Sequence, residues 1–417
     1  MHQTVGEFRK WNGMRIFVLL SRIPWPLEKG DKLRAFHQVK QLSVHNEIIL
    51  CALNTDLKAD KQKAFRALQP YCRSITFIDL PPWVMLYNLV RAFLLGKPLQ
   101  VGYFFSYKAK KRIEALISQH RPDILYGQLI RVADYISSVN VPKSIDYQDV
   151  LSKGMQRRAQ IASWFMKPFY VMEYQRLLKF EKLVFDDFDI KTIISKPDRE
   201  LIPHPLHNKI LIVPNGVDHD FFYPQNVDKQ YDVVFTGNMA YPPNVNAAEF
   251  LVKEIMPLVW KKLPETKVMI AGATPDPKVK GLSSEWVFVS GWLDDIRQAY
   301  SCSRVFIAPM QIGTGLQNKL LEAMAMGLAC ITTPLANNAL DASDGKEILI
   351  GNNAATLANH IKNLLSDSEL YAKLAAAGHQ FVVNQYNWSS ANEILEDDMK
   401  ELLKQKSAAP GLPENPS

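Results

Sequence analysis

Cysteine is scarce in this sequence, and its four cysteines form no recognisable pair. They are Cys51, Cys72, Cys302 and Cys330 among 417 residues. None is spaced as a Cys-x-x-Cys metal or redox motif. Most of them adjoin apolar segments, which indicates reduced thiols in a protein core. Nothing in the sequence therefore calls for an oxidising compartment.

The sequence also lacks a long apolar run. No window of about 18 apolar residues occurs, so no transmembrane helix is predicted. The apolar segment Ile16–Leu20 is followed at once by Arg22 and two prolines, a pattern that favours a buried strand over a signal peptide. We therefore expect a cytoplasmic protein, with peripheral contact to the inner face of the plasma membrane left open.

Neither sign of charge is in large excess, but the charges are unevenly distributed. Forty-nine Lys and Arg oppose 42 Asp and Glu, a net charge of +7. Residues 1–212 hold 33 basic and 19 acidic side chains (+14), whereas residues 213–417 hold 16 and 23 (−7). This split predicts two domains with different partners. A basic half attracts nucleic acid, anionic lipid or phosphorylated substrates.

What is present throughout is an alternation of short apolar runs with helical patterns. The predicted strands begin at Arg15, Glu47, Ser74, Asp123, Lys191, Lys209, Tyr231, Lys267, Trp286, Arg304, Leu328 and Glu347. Helical patterns separate most of them, for example over 244–263, 316–326, 354–365 and 368–385. Such alternation predicts an α/β fold with parallel sheets covered on both faces. Both halves show it, so two doubly wound domains are expected, with ligands beyond the carboxyl ends of the strands in a cleft between them.

The domain boundaries follow from turn-rich segments. The stretch 213–218, which contains Pro214, Asn215 and Gly216, breaks the chain near its middle. We predict an N-terminal extension over 1–13, a first domain over 14–213 and a second domain over 214–388. A helix over 389–405 and a flexible, Pro- and Ser-rich tail over 406–417 complete the chain.

One segment carries most of the chemical information. After the strand 304–308 come Gly313, Thr314 and Gly315, and then a helical pattern with Lys319 and Glu322. Glycines allow close approach of the backbone to a ligand, and free amides at the start of a helix attract anions. Lys319 can reach a phosphate, and Glu322 shares its helix face and can accept hydrogen bonds from a ribose. The amides and Lys319 could bind a diphosphate, and Glu322 could bind a ribose, so the segment predicts a nucleotide-sugar site. A plain turn followed by a surface ion pair is the alternative.

This segment resembles the second-domain motif of retaining GT-B glycosyltransferases of the family 4 type. Residues 322–327 match the second glutamate and the Ala-Met-Ala-x-Gly that follows it, whereas Thr314 stands at the first glutamate position, as in a branch of the family. The stretch 214–224 is similar to the interdomain signature of the family, and 386–388 precedes a helix that crosses back to the first domain in that fold. Together with 22–34, 235–244 and 315–319, these motifs resemble a bacterial subgroup associated with exopolysaccharide and exosortase systems.

The resemblance implies a retaining hexosyltransferase that uses a nucleotide-diphosphate sugar, without a bound cofactor or catalytic metal. It implies catalytic roles for Lys319 and Glu322. The implied donor-binding residues are Gly237, Asn238, Gly291, Trp292, Leu293, Thr314, Gly315, Leu316, Lys319 and Glu322.

Two departures from the family concern the donor and the sugar. The family usually places an Arg and a Lys after the first strand of the second domain, but this chain has no Arg or Lys between Lys229 and Lys253. Lys319 and the amides of Gly315 and Leu316 are therefore expected to hold the diphosphate. Asn244 is expected to cap a helix. Gln128 stands where many members have a histidine, and it can hydrogen-bond a sugar but cannot act as a base.

The acceptor side is expected on the first domain. Gly30, Asp31 and Lys32 resemble the glycine-containing loop that approaches donor phosphates and acceptor, and Gln128 and Asp149 are further candidates. Asp146 and Asp149 follow a strand, and a solvated loop is the alternative reading for both. The acceptor is expected to be a saccharide or a polyprenyl-diphosphate-linked sugar.

Two basic and aromatic stretches, 83–107 and 157–182, stand in the first domain. Basic residues mixed with Trp and Phe suit an anionic membrane surface, and core-facing helices with a basic rim are an equal alternative. Pro168 predicts that the second stretch forms two helices.

Other function classes fit less well. No helix-turn-helix, zinc finger or aromatic RNA-binding motif accompanies the basic charge, so nucleic acid is not expected as a partner. A sugar-nucleotide 2-epimerase of the same fold and a catalytically inactive GT-B partner subunit remain alternatives.

Overall fold

The structure, a computed structural model, describes residues 2–4, 13–313 and 315–408. It divides into two compact units. The first takes in the chain up to Val213 and the segment after Trp388, and the second spans Pro214–Trp388. Thr314 and most of the expected N-terminal extension and C-terminal tail lie outside the described residues.

The first unit is built on an eight-stranded sheet in the order β1-β4-β3-β2-β5-β6-β7-β8. Every neighbouring pair is parallel except β1 and β4, which are antiparallel. The strands are β1 His2–Thr4, β2 Arg15–Leu20, β3 Glu47–Asn54, β4 Ser74–Asp79, β5 Ile124–Gln128, β6 Lys143–Asp146, β7 Ile190–Ile193 and β8 Leu211–Ile212. The central strands are continuous apolar runs, as a sheet covered on both faces requires.

Helices connect these strands on both faces of the sheet. They are α1 Gly30–Leu42, α2 Lys61–Leu68, α3 Pro82–Leu94, α4 Leu99–Gly102, α5 Tyr107–His120, α6 Ala133–Ile136, α7 Leu151–Ile161, α8 Lys167–Asp187 and α9 Lys196–Glu200. Several of these helices are preceded by a residue whose side chain accepts a hydrogen bond from an otherwise unpaired backbone amide. Ser106, which precedes α5, is one example. As Pro168 predicts, the second basic and aromatic stretch is divided between two helices, α7 and α8.

The strand expected ahead of Asp149 is β6, which the sequence did not delimit and which includes Asp146 itself. Its burial depends on one ion pair. Arg34 and Asp146 are both fully buried, with 2.6 Å between Nε and Oδ2 and 3.1 Å between Nη2 and Oδ1. The Thr192 hydroxyl also donates to Asp146 Oδ1, at 2.9 Å. The expectation that Asp146 lies in a solvated loop or faces a ligand is wrong, because this carboxylate neutralises a buried arginine instead.

The second unit contains a six-stranded, fully parallel sheet in the order β11-β10-β9-β12-β13-β14. Its strands are β9 Tyr231–Thr236, β10 Val268–Ala271, β11 Val287–Gly291, β12 Ser303–Ala308, β13 Ala329–Thr332 and β14 Leu349–Ile350. The remaining helices are α10 Pro242–Phe250, α11 Met256–Trp260, α12 Pro277–Lys280, α13 Arg297–Ser301, α14 Asn318–Ala325, α15 Pro334–Asn337, α16 Ala354–Ser366, α17 Ser368–Gln385 and α18 Trp388–Ala408.

The long helix expected over 244–263 is interrupted. A π-helical segment, Leu251–Ile255, separates α10 from α11. Pro257 follows in the first turn of α11, and its missing N–H removes one regular helical hydrogen bond. The wider turn ahead of it accommodates that loss.

The terminal segments differ from their expected forms where the structure describes them. His2–Thr4 form β1 and pair with Ser74–Thr76 of β4, so this part of the stretch 1–13 is a strand. Helix α18 continues to Ala408, three residues beyond the expected helix end. Its residues Ala391, Leu395 and Met399 are buried in a core of the first unit.

Two sequence motifs meet within the second unit. The amide of Val217 donates to the carbonyl of Tyr386, at 2.9 Å. A Cβ on Gly216 would lie 2.4 Å from the backbone nitrogen of Trp388. Only glycine therefore permits this approach between the stretch 214–224 and the segment 386–388.

No helix within the described ranges is both long and apolar enough to cross a membrane. Over the same residues, no three His, Cys, Asp or Glu side chains cluster as metal ligands would. All four cysteine thiols are free, and Cys302 is only half-buried.

Candidate functional site

The carboxyl edge of the second sheet is lined by three glycines. Gly237 follows β9, Gly272 follows β10 and Gly291 ends β11. The Gly237 amide donates to Ala271 O at 3.0 Å, and the Gly272 amide donates to Gly291 O at 3.1 Å. A Cβ on Gly272 would lie only 1.7 Å from Gly237 O. The close approach of these strand ends therefore requires glycine and leaves backbone, rather than side chains, at the edge.

The loop from β12 to α14 enters the same edge. Gly313 and Gly315 both have φ near +98°, a conformation that other residues rarely adopt. Leu316 packs against the hydrophobic core, and Gln317 Nε2 donates to Gly315 O at 3.2 Å. Thr314 lies outside the described residues. The helix begins at Asn318, so Lys319 is in its first turn.

Lys319 is held in a pocket of neutral groups. Its ammonium donates to Asn244 Oδ1 at 2.5 Å, lies 3.9 Å from Met310 Sδ and sits 4.8 Å from the ring centroid of Phe235. A Cβ added to Gly237 would come within 3.2 Å of the same ammonium. In the part of the chain that the structure describes, none of these direct contacts is a carboxylate. The groups in direct contact therefore stabilise the charge through dipoles and a π face.

This environment changes the acidity of Lys319. Burial lowers its pKa to about 7, and the charge of Glu322 opposes the shift only in part. The residue as a whole is half-buried. An anion placed against this ammonium would raise its pKa again.

Asn244 has a different role from the expected one. Helix α10 begins at Pro242, and the residue before it is Tyr241, so Asn244 does not cap the helix. Its side chain donates from Nδ2 to Asn238 O at 2.9 Å and accepts from Lys319 through Oδ1. The Asn238 side chain in turn accepts a hydrogen bond from the Ala240 amide at 3.0 Å. Asn244 therefore connects the loop after β9 to Lys319, a pairing that sequence spacing did not reveal.

Glu322 is held by a tyrosine that the sequence analysis did not identify. The Tyr300 hydroxyl donates to Glu322 Oε2 at 2.6 Å and lies 2.8 Å from the Thr236 hydroxyl. Burial raises the pKa of Glu322, while the Tyr300 hydrogen bond and the charge of Lys319 oppose that shift. Tyr300 precedes β12 by only a few residues, but it lies 22 positions from Glu322. Only the packing of α13 beside β12 could have indicated this contact.

The loop after β11 presents an aromatic side chain. Trp292 is 60% exposed, and its Nε1 donates to Asp294 Oδ1 at 3.1 Å. Leu293 is half-buried against the hydrophobic core. Gly291 has φ +70°. This loop therefore offers backbone groups and one exposed ring beside the glycine edge.

In the first unit, the predicted loop after β2 lies at the start of α1. Gly30 is the first residue of that helix. Asp31 pairs with Arg22, with 2.7 Å between Oδ2 and Nη1. Lys32 donates to Trp25 O at 3.5 Å, and burial lowers its pKa. The contacts of Asp31 and Lys32 therefore stabilise the loop that these two residues border.

The other two predicted acceptor-side residues differ in accessibility. Gln128 is only 3% exposed, and its Nε2 donates to Gln38 Oε1 at 3.4 Å. Tyr126 donates to the same oxygen at 2.7 Å. Asp149 is exposed and accepts the Val150 amide through Oδ1 at 2.7 Å. Gln128 thus belongs to a buried polar network, whereas Asp149 can meet a ligand.

The two basic and aromatic stretches expose apolar side chains. Helix α3 exposes Trp83, Leu86, Tyr87, Val90, Phe93 and Leu94, and the segment before and at the start of α8 exposes Trp164, Phe165 and Phe169. Helix α3 buries Met85, Asn88 and Ala92 and exposes a mainly apolar outer face, so membrane contact and a core-facing helix with a basic rim both stay predictions.

Comparison with known proteins bears on the second unit most directly. Residues 230–367 match the family described as Glycosyl transferases group 1. This range contains the glycine edge, Lys319 and Glu322. It covers about a third of the chain.

Similarity also extends over most of the chain. An uncharacterised 44.6 kDa protein in the cps region of Klebsiella pneumoniae is 21% identical over 400 residues, covering 89% of this chain and 96% of that protein. Sucrose-phosphate synthase from Thermosynechococcus elongatus aligns with a TM-score of 0.68 at 16% identity, covering 95% of this chain and 100% of the synthase. HepE from Anabaena, in complex with UDP and glucose, aligns with a TM-score of 0.66 at 13% identity, covering 93% and 100%. The chain is therefore a glycosyltransferase of the GT-B fold, and its second unit holds a glycosyl transferases group 1 domain.

Proposed function

We propose that this protein is a retaining glycosyltransferase of surface polysaccharide synthesis. It moves a hexose from a nucleotide-diphosphate sugar to a saccharide or a lipid-linked acceptor. The similarity to a protein of a cps region supports the polysaccharide context. The resemblance of residues 313–327 to retaining GT-B enzymes supports retention.

The environment of Lys319 carries the proposal. Lys319 has no carboxylate among its direct contacts in the described chain, and it lies beside three strand ends that present backbone groups. Such a lysine is suited to bind a diphosphate. HepE, which has the same fold, was crystallised with UDP. Glu322, oriented by Tyr300, is suited to accept hydrogen bonds from ribose hydroxyls. Donor recognition therefore uses one cation and neutral dipoles where related enzymes use an Arg/Lys pair.

The reaction needs no protein base in this proposal. The bond between the sugar C1 and the donor phosphate oxygen breaks, and the acceptor oxygen bonds to C1 on the same face. The acceptor proton moves to a phosphate oxygen of the leaving diphosphate. Lys319 and the loop amides stabilise the charge that develops on that diphosphate. The absence of a histidine at position 128 is compatible with this route, because glutamine has no suitable proton affinity.

The acceptor side is assigned to the first unit. Gly30, Asp31 and Asp149 are the candidates for contact with the acceptor, and Lys32 borders them. The exposed apolar residues of α3, together with basic residues such as Arg91 and Lys167, suit peripheral contact with an anionic membrane. Such contact would give a lipid-linked acceptor access to the enzyme on the cytoplasmic side.

A panel of nucleotide sugars tests the donor assignment. Purified protein is incubated with UDP-, GDP-, ADP- and dTDP-linked hexoses, and released nucleoside diphosphate is measured with and without a lipid-linked saccharide fraction. Lys319→Ala should lower kcat/KM by about 10²- to 10³-fold, the usual effect of removing one group that stabilises transition-state charge. Lys253→Ala, which removes an exposed lysine from the same unit, is the matched control.

The outcomes separate the alternatives. Near-wild-type kcat/KM in Lys319→Ala contradicts the role of that residue. Release of a free epimerised nucleotide sugar identifies a 2-epimerase. No turnover of any donor, with intact nucleotide binding, identifies an inactive partner subunit. An anomeric configuration in the product opposite to that of the donor contradicts retention.

A further inference from the structure

A cavity of about 730 Å³ opens in the first unit beside α3. Its walls are mainly apolar and come from α3, from α4 and the residues after it, and from the start of α8. They include Leu89, Val90, Phe93, Leu99, Phe104 and Phe169. This volume is within the range of small-molecule sites, and donor recognition, as proposed, uses none of these residues.

Two guanidinium groups reach into this apolar cavity. Arg22 and Arg131 both line it, and both lie over the ring of Phe104, at 5.8 and 5.2 Å from its centroid. Arg22 is neutralised by Asp31 at 2.7 Å. Arg131 has no ion pair among the described residues. The cavity therefore combines apolar walls with one guanidinium that no carboxylate of the described residues contacts directly.

The hydrogen bonds of Arg131 are also incomplete. Its Nη2 donates to Gln100 Oε1 at the long distance of 3.5 Å, and its Nε is buried without a partner in the described chain. Gln100 is held in place from its other side, because the buried carboxylate of Glu173 accepts its backbone amide at 3.0 Å. A buried donor without an acceptor costs free energy. An oxygen-rich anion would supply the missing acceptor.

The pKa of Arg131 is also lowered by this environment. Burial lowers its pKa to about 10, and the neighbouring charge of Arg22 contributes to the shift. Asp31 and Asp149 oppose it without restoring the ordinary value. The guanidinium remains charged at neutral pH, so an arriving anion meets a cation that is already desolvated.

We propose that this cavity binds the phosphate group and the first apolar segment of a lipid-linked acceptor, with the phosphate on Arg131 and Arg22. The occupant is an amphiphile with an anionic head and an aliphatic chain, because the cavity offers guanidinium groups and apolar walls together. This assignment rests on the proposed glycosyltransferase function, since it names the acceptor class for that reaction.

Two further observations support a lipid phosphate over a free anion. Val90 and Phe93 line the cavity and are also 55% and 51% exposed, so an aliphatic chain can continue from the cavity onto the apolar surface of α3. Asp31 and Asp149, two of the predicted acceptor-side residues, are close enough to influence the charge of Arg131. A saccharide attached to the bound phosphate would therefore begin near those carboxylates.

Direct binding of a short probe tests the proposal independently of catalysis. Farnesyl diphosphate, farnesol and inorganic diphosphate are titrated into the full-length protein by calorimetry, below the micelle concentration of the lipids. We expect farnesyl diphosphate to bind at least tenfold more tightly than either fragment. Arg131→Gln should weaken farnesyl diphosphate binding by about tenfold or more, as expected for a lost charge-assisted hydrogen bond.

Two variants make the result specific. Val90→Asp, at a half-exposed position of the wall, should weaken farnesyl diphosphate but leave inorganic diphosphate unaffected. Arg66→Gln removes an exposed arginine on α2 and should bind like the wild type. Circular dichroism melts verify that each variant is folded.

Several results would overturn the assignment. These are equal binding of inorganic and farnesyl diphosphate, unchanged affinity in folded Arg131→Gln, and no binding of farnesyl diphosphate to the wild type. Failure of the donor assay with intact farnesyl diphosphate binding would instead contradict the proposed function and leave the cavity's ligand class standing.

Discussion

Donor binding should be coupled to proton uptake at Lys319. Burial lowers the pKa of this lysine to about 7 in the free protein, so most of the ammonium groups are deprotonated at pH 8.5. A bound diphosphate favours the charged form and raises the pKa toward its ordinary value. The nucleotide therefore binds the protonated protein, and its affinity should fall as the pH rises above about 7.

The size of this effect follows from the titration of one group. With a pKa of about 7, roughly 3% of Lys319 is protonated at pH 8.5, compared with about 90% at pH 6. Because apparent affinity scales with the competent fraction, the Kd for a nucleoside diphosphate should rise about tenfold per pH unit between about 7.5 and 9.5. The terminal phosphate of the ligand is already ionised there, since its second pKa is about 6.

Isothermal titration calorimetry with UDP, in buffers of different ionisation enthalpy, measures both quantities. At pH 8.5, close to one proton should be taken up per nucleotide bound. Lys319→Met keeps a side chain of similar length without the charge, so its weaker binding should be independent of pH over this range. Lys253→Ala should retain the wild-type slope. A flat affinity between pH 7.5 and 9.5 in the wild type, or undiminished proton uptake in Lys319→Met, would refute the reasoning.

Three other changes have definite expected results. Tyr300→Phe removes the hydroxyl that donates at 2.6 Å to the buried carboxylate on α14, and it should weaken nucleotide binding by about tenfold with little change in fold, measured by calorimetry and circular dichroism. Gly272→Ala would place a Cβ 1.7 Å from a backbone oxygen, so it should lower the melting temperature sharply. Gly281→Ala is the control and should be tolerated, because its Cβ would lie 3.4 Å from the nearest atom. Leu94→Asp, at a position 77% exposed on α3, should reduce co-sedimentation with anionic vesicles, while Val44→Asp, an exposed control, should not; equal sedimentation of both would exclude α3 as the membrane surface.

The regular parts of the fold were predictable because their patterns are local. Buried parallel strands are short, uninterrupted apolar runs, so β2 and β9 begin at the predicted residues. The bounds of strand β6 were not predicted because Ile145 is its sole apolar residue. Its burial depends on an arginine 112 positions away, and no local pattern reports such a pair.

In the candidate site, too, local features were predictable and long-range contacts were not. Glycines, a lysine and a glutamate at fixed spacing predicted the segment 313–322, because a turn followed by a helix start brings neighbouring residues together. Asn244 was expected to cap a helix, yet it contacts Lys319 from 75 positions away. Tyr300 was not identified, because its contact with Glu322 depends on how α13 packs beside β12.

The sequence alone determined the α/β class, the break near Pro214 and the turn and helix of the segment 313–322, since each follows from periodicity or from turn chemistry within a few residues. The tertiary structure decided which charges are compensated. It paired Asp146 with Arg34 and enclosed Gln128 in a polar network. It also left Lys319 and Arg131 as desolvated cations without a directly contacting carboxylate in the described chain. Desolvation and pairing depend on groups that are distant in sequence and adjacent in space, so the charge state of a site is known only once the chain has folded.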